Sequence, residues 1–315
     1  LTTAQISELS TSALNALSTA QLAALEVADV AALTTAQVSK LSGEQLSKLN
    51  NEQIVALTTS QVQALTKNQL TSLTTGQLNN MAAEDLQALT TAQLRALSTG
   101  QVSNLIAEQL NRMTTAQLQA LGTEQVVALT SGQLNAMTTS NLTSLTTTQV
   151  SKLTTGQISQ LSQEQVRALT TSQVSAMTTA QVAAMTSSQL NAMEADDLQA
   201  LTDKQIKSLT TGQVQDLSAE QVALMLTSQV AVLSDDQAAE LSAGAIAALT
   251  TAQISELSTK AIAALSTGQI AALEVADVAE LTTTQFKRMT TGQIAQFSQE
   301  QVRALTTSQV SAMTT

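Results

Sequence analysis

The chain has 315 residues, a net charge of -11 and 43% apolar residues, with no Pro, Cys, His, Trp or Tyr and two aromatic residues, Phe286 and Phe297. Disulfide, thiol and imidazole chemistry are excluded, and with no basic run longer than Lys287-Arg288 so is the clustered positive face that nucleic acid requires. No apolar run approaches the roughly eighteen residues of a membrane span and no signal peptide is visible; a chain opening at Leu1 without Met reads as a fragment, or a processed portion of something longer.

From Leu1 onward an eight-residue phrase repeats without insertion or deletion. Its first position, at residues 1, 9, 17 and on to 313, is always Leu, Met or Phe, and all nine Met residues fall there. Position 2 is Ser or Thr in 32 of 40 cases, position 5 is Gln in 31 of 39, position 6 is nearly always Leu, Val or Ile, and position 8 is often Ala. Residues 1–315 are therefore read as one continuous array of about 39 octads, with no separate domains.

A continuous helix cannot use this pattern, because eight residues advance about 800° and each octad would be rotated by about 80° from the last. A strand requires alternation, whereas positions 1, 6 and 8 mix odd and even, and position 1 never takes Val or Ile. The octad reads instead as a helix start. In "MTTAQVAAM", residues 177–185, Thr178 is the N-cap and Gln181 completes a capping box, while Met177 and Val182 form the hydrophobic staple. After about six residues the next octad gives the same instruction. Such helices are too short to stand alone, so the expected fold is an all-α solenoid of short capped helices, one per octad, burying positions 1, 6 and 8. The alternative is a β-solenoid with ladders of Thr and Gln.

Departures from the phrase are the candidate sites, taken in chain order. In "EVAD", residues 26–29, Glu26 replaces the cap hydroxyl and Asp29 the Gln; 274–277 repeats this, and "AAED" (82–85) and "EADD" (194–197) are similar. Calcium needs about six or more converging oxygens, so these are read as variant helix starts with acidic groups at the N-terminal dipole. Gly at position 4 (76, 100, 132, 156, 212, 244, 268, 292) marks exposed N2 positions. Ile106 and Leu226 place apolar groups at the cap. Long near-identities recur at odd octad shifts: 290–315 repeats 154–179, and "LTTAQISEL" at 1–9 returns at 249–257. The octads are therefore near-equivalent, and neither end carries a capping repeat.

Catalysis has little to work with. Hydroxyls abound, but a nucleophile needs an activating base, and isolated lysines such as Lys204 and Lys260 are poor substitutes. The Met residues sit in the Leu class and serve as core. No residue is assigned a catalytic, cofactor-binding or metal-ligating role; the chain is read as no enzyme and needing no cofactor.

The array resembles the "LTTAQ(V/I)AAL" octapeptide tracts of very large secreted or surface adhesin-like proteins of Proteobacteria, some labelled as haem-utilisation proteins. The likeness spans essentially the whole chain, and an extracellular or cell-surface location is what it implies. A haem role finds no His or Tyr ligand here. The expected function is structural, the shaft of an extracellular filament or adhesin stalk, whose partner is itself or further repeats of a longer chain. The alternative is a repetitive Thr, Ser and Gln surface that holds glycan, ice or another surface.

Overall fold

The computed structural model describes residues 2–313, and within them every regular element is a helix of four to six residues, 39 in all, with no strand. The β alternative is set aside. Each helix begins where the capping chemistry places it. Thr178 stands in extended conformation (φ -74°, ψ 158°) and opens Thr179–Ala184; its hydroxyl accepts from the Gln181 amide N–H at 3.2 Å, while Gln181 Oε1 accepts from the Thr178 N–H at 2.7 Å.

Termination is equally local. The N–H of the next position 1 folds back onto the carbonyl of position 6, as Met185 does to Val182 at 3.2 Å, an i to i-3 bond that tightens the last turn. The position 1 residue then turns extended, as Met185 at φ -63°, ψ 144°, and the following cap residue is extended too. Two extended residues make each corner, and no described residue has positive φ. Bulky Leu and Met therefore occupy corners that elsewhere fall to Gly.

The described residues divide into two compact units that part between Leu153 and Thr154. Within each, a helix packs on the helix three octads further along, as Gly43–Ser47 does on Lys67–Ser72 and Asp235–Glu240 on Thr259–Ala264. Each unit is thus an α-solenoid whose coil takes up between three and four octads.

Positions 1 and 6 line the interior as expected: Val62, Leu70 and Leu110 have no exposure, and Leu65 and Leu73 have 4%. Position 8 departs from expectation, being mostly half-buried, with Ala120, Ala192 and Ala312 the buried cases. The third buried position is 5, the glutamine: Gln53 is fully buried and Gln109 nearly so. A polar amide inside an aliphatic core must find partners, and those partners build the coil.

Candidate functional site

The recurrent feature of both units is the buried glutamine. Its Oε1 serves the N-terminus of its own helix, and its Nε2 reaches back to the helix below. Gln37 Nε2 donates to the carbonyls of Ile6 and Leu9, both at 2.8 Å. Gln213 does the same to Val182 (3.0 Å) and Met185 (2.7 Å), and Gln285 to Ile254 (2.9 Å) and Leu257 (2.8 Å). The offsets are 31 and 28 residues each time, with the carbonyl 30 residues back joining in several octads, as Ser255 does for Gln285 at 3.2 Å. These oxygens belong to the last turn of a short helix, where the position 6 carbonyl also takes the N–H of the next position 1, and to the corner after it, which lies outside the intrahelical ladder. One amide therefore caps the start of one helix and the end of another.

An amide has an acceptor at one end and a donor at the other, whereas a carboxylate only accepts. Glu serves a capping box as well as Gln does, yet position 5 is never Glu in 39 octads. That exclusion was the signal in the sequence for the second bond.

Three octads divide the work differently. Asn79 donates to the carbonyl of Asn104 and accepts from the N–H of Ile106, both at 2.9 Å; Asn191 does the same with Asp216 (2.8 Å) and Ser218 (3.0 Å). The N-cap N–H is thereby taken by the coil below, and Oε1 of Gln109 and of Gln221 is left buried without a partner. At Asn111 the arrangement is complementary: it takes the Thr138 N–H at 2.9 Å, and the local position 5 residue is the shorter Asn141. Position 7, variable in sequence, thus contains inter-coil bonds.

The acidic octads stay apart from one another, and no cluster of three or more His, Cys, Asp or Glu side chains suited to a metal exists among the described residues. Each has one buried carboxylate at position 5: Asp29, Asp85, Asp197 and Asp277 are 2–6% exposed. As variant starts they differ from Gln. Asp277 Oδ2 accepts from the Glu274 N–H at 3.1 Å, whereas the helices at Glu26, Ala82 and Glu194 have no side-chain cap bond. Burial, and then the charges of Glu194 and Asp196, push the Asp197 carboxyl up to about 6. Asp85 is raised by burial and by Glu84; Asp277 is raised by burial, opposed by its bond from Glu274 and favoured by the Glu274 charge.

The remaining candidates fall into place singly. A Cβ on position 4 glycines such as Gly76 or Gly292 would meet nothing closer than a cap hydroxyl at 3.9 Å, so these are open N2 positions. Gly43 is different: its Cβ would lie 2.7 Å from the Cβ of Ser72 on the next coil. Ile106 and Leu226 are exposed at 44% and 42%, and their helices have no side-chain cap. The described Met residues in the array interior are core, 2–8% exposed from Met81 to Met289. Lys204 and Lys260 are exposed and form no salt bridge; the one such pair among the described residues is Arg112–Glu108. A surface groove between Val275 and Gln301 is lined largely by exposed residues. No described helix is long and apolar enough to cross a membrane.

At the first described coil, Gln5 and Gln21 are exposed and keep their capping bonds, but their Nε2 groups have no coil beneath them. At the last, the carbonyls after Leu281 receive no glutamine, the final such bond being Gln309 to Leu281 at 2.7 Å. The two ends carry opposite halves of one bond.

A family model described as the ALTTAQ repeat matches residues 22–59, 78–115, 107–139, 163–194, 190–226, 243–275 and 278–315. A comparison with curated proteins finds no match.

Proposed function

The chain belongs to the ALTTAQ repeat family, and from that premise we propose that it works mechanically, as part of the shaft of an extracellular filament or adhesin stalk, and catalyses nothing. The observation that carries this reading is the two-ended glutamine. Most octads give a glutamine bond to the coil below and take one from the coil above, those with Asp or Ala at position 5 excepted, so the pattern has no intrinsic stopping point. Gln5 and Gln21 offer donors, and the carbonyls beyond Leu281 offer acceptors. The partner of such a face is another stretch of the same repeat, in a longer chain or in a second copy.

The alternative of a Thr, Ser and Gln binding surface loses one of its three residue types, because the position 5 amide is buried and engaged across the array interior. The cap hydroxyls at position 2 are committed as well.

Analytical ultracentrifugation of the purified chain over a wide concentration range, followed by cryo-electron microscopy, tests the structural reading. Concentration-dependent end-to-end species that lengthen in steps of one chain are expected. Compact monomers at every concentration, together with retention on a glycan array or on ice, would replace it with the surface reading.

A further inference from the structure

In Asp85 and Asp197 a carboxylate stands where the array otherwise places an amide. Both residues are buried, at 6% and 5% exposure, and neither side-chain carboxylate takes part in a hydrogen bond among the described residues. The carbonyls 31 and 28 residues before them belong to Ile54 and Leu57, and to Val166 and Leu169. Ile54 and Val166 already accept from the Leu57 and Leu169 N–H groups, at 3.2 Å each. The Leu57 and Leu169 carbonyls receive nothing, on residues 4% and 5% exposed. A charged acceptor thus replaces the donor that the corresponding carbonyls meet in the glutamine octads.

We propose that Asp85 and Asp197 each hold a calcium-type cation in the place of the missing amide nitrogen, ligated by the carboxylate, by the two carbonyls of the coil below and by water. The amide geometry is the template. Gln229 Nε2 lies 2.8 Å from the Leu198 carbonyl and 2.9 Å from that of Leu201; calcium at about 2.4 Å from the same oxygens needs an approach of about 0.4 Å. All donors are hard oxygens, and calcium tolerates the irregular shell and completes it with water, whereas magnesium at about 2.0 Å demands a near-ideal octahedron. The carbonyls are the C-terminal end of a helix, which favours positive charge.

The surroundings supply charge of the right sign, and Arg167, the one cation on the helix that offers the Val166 carbonyl, is exposed. Glu84 adjoins Asp85, and Glu194 and Asp196 flank Asp197. The helices packed on Ala195–Ala200 are Thr171–Ala176, without charge, and Ala219–Leu224, with Glu220. Those packed on Ala83–Ala88 are Thr59–Ala64, also without charge, and Ala107–Arg112, whose Arg112 is held by Glu108 at 2.6 Å. Both carboxyls are raised by burial first and then by the neighbouring acidic charges, Glu84 for Asp85 and Glu194 and Asp196 for Asp197. Asp277 is not included, since it turns to the Glu274 N–H.

Calcium content after equilibrium dialysis of the full chain, with magnesium as the comparison ion, tests the proposal. Two calcium ions per chain are expected, falling to one in D85Q or D197Q and to none in the double variant. Gln is the residue the array already uses at this position, so these variants keep the fold. Amide exchange in Ala195–Ala200 should slow by about a hundredfold when calcium stands at a hundred times its Kd. No uptake at millimolar calcium, or uptake unchanged in the double variant, overturns the site. So does exchange that slows on acidification alone and ignores calcium, because a proton then fills the gap.

Discussion

Gln77 donates from Nε2 to the carbonyl of Leu46, 31 residues earlier, at 2.7 Å, while its Oε1 accepts from the Thr74 N–H at 2.8 Å. A second donation to Leu49 at 2.8 Å uses the other amide hydrogen. Replacing the donor end while keeping the acceptor end separates the two roles. Gln77→Glu preserves a capping acceptor but sets a carboxylate against two carbonyls, so a loss of about 1–3 kcal/mol is expected at pH 7. Gln77→Ala should cost less than the charged variant, and the difference should shrink as the carboxylate is protonated. Local hydrogen exchange around Leu46–Leu49 at pH 7 and pH 4.5 measures both.

Gly43 lies close against Ser72 of the next coil, a Cβ at residue 43 falling 2.7 Å from that of Ser72. Gly43→Ala should lower the melting temperature, with a cost of about 1–3 kcal/mol typical of overpacking. Ser72→Gly should recover most of it in the double variant. Equal cost for Gly43→Ala in both backgrounds would mean that the contact is relieved some other way.

Ile106 and Leu226 leave two helices without a hydroxyl cap. Ile106→Thr and Leu226→Thr should each stabilise by about 1 kcal/mol and remove exposed apolar area, a gain that chemical denaturation or local exchange would register. The two sites differ in one respect. At Leu226 the Gln229 Oε1 already takes the cap N–H at 2.9 Å. At Ile106 that N–H goes to Asn79, so Asn79→Ala should cost little, because Gln109 Oε1 then recovers the bond.

Asp197 sets a pH dependence. Its folded carboxyl is raised to about 6 above the usual 3.8, so the folded state holds a proton that the unfolded chain has already lost between those values. Stability therefore falls as pH rises from about 4 to about 6, and the loss is complete above that. In calcium-free buffer, amide protection of Ala195–Ala200 should rise on going from pH 7 to pH 4.5, and D197Q should remove the dependence.

Much of this fold is written within single octads. Thr178, Gln181, Met177 and Val182 carry the whole helix start, and every role involves residues no more than five apart. The solenoid follows because a helix of six residues must stack. The inter-coil bond was hidden for the opposite reason: its partners lie 28 and 31 residues away, and the same Gln already had a sufficient local role. The avoidance of Glu at position 5 pointed to it, as the variability of position 7 did not, since Asn79, Asn111 and Asn191 make their bonds against backbone atoms that any sequence provides. Position 8 is half-buried where the octad pattern predicts burial, because a helix of six residues turns its last side chain toward the neighbouring coil's edge, as where Ser72 meets Gly43.

The corner of two extended residues, free of positive φ, makes every joint chemically the same as every other. Because each bond is counted backwards by a fixed number of residues, removing or duplicating one whole octad leaves all later partners at their proper distance and merely changes which octad answers which. A gene encoding such a tract can lengthen or shorten by unequal exchange in units of 24 nucleotides and still encode a foldable product, so length itself becomes a heritable and adjustable trait. The long copies at odd octad shifts, such as 154–179 in 290–315, keep the octad phase that such exchange requires.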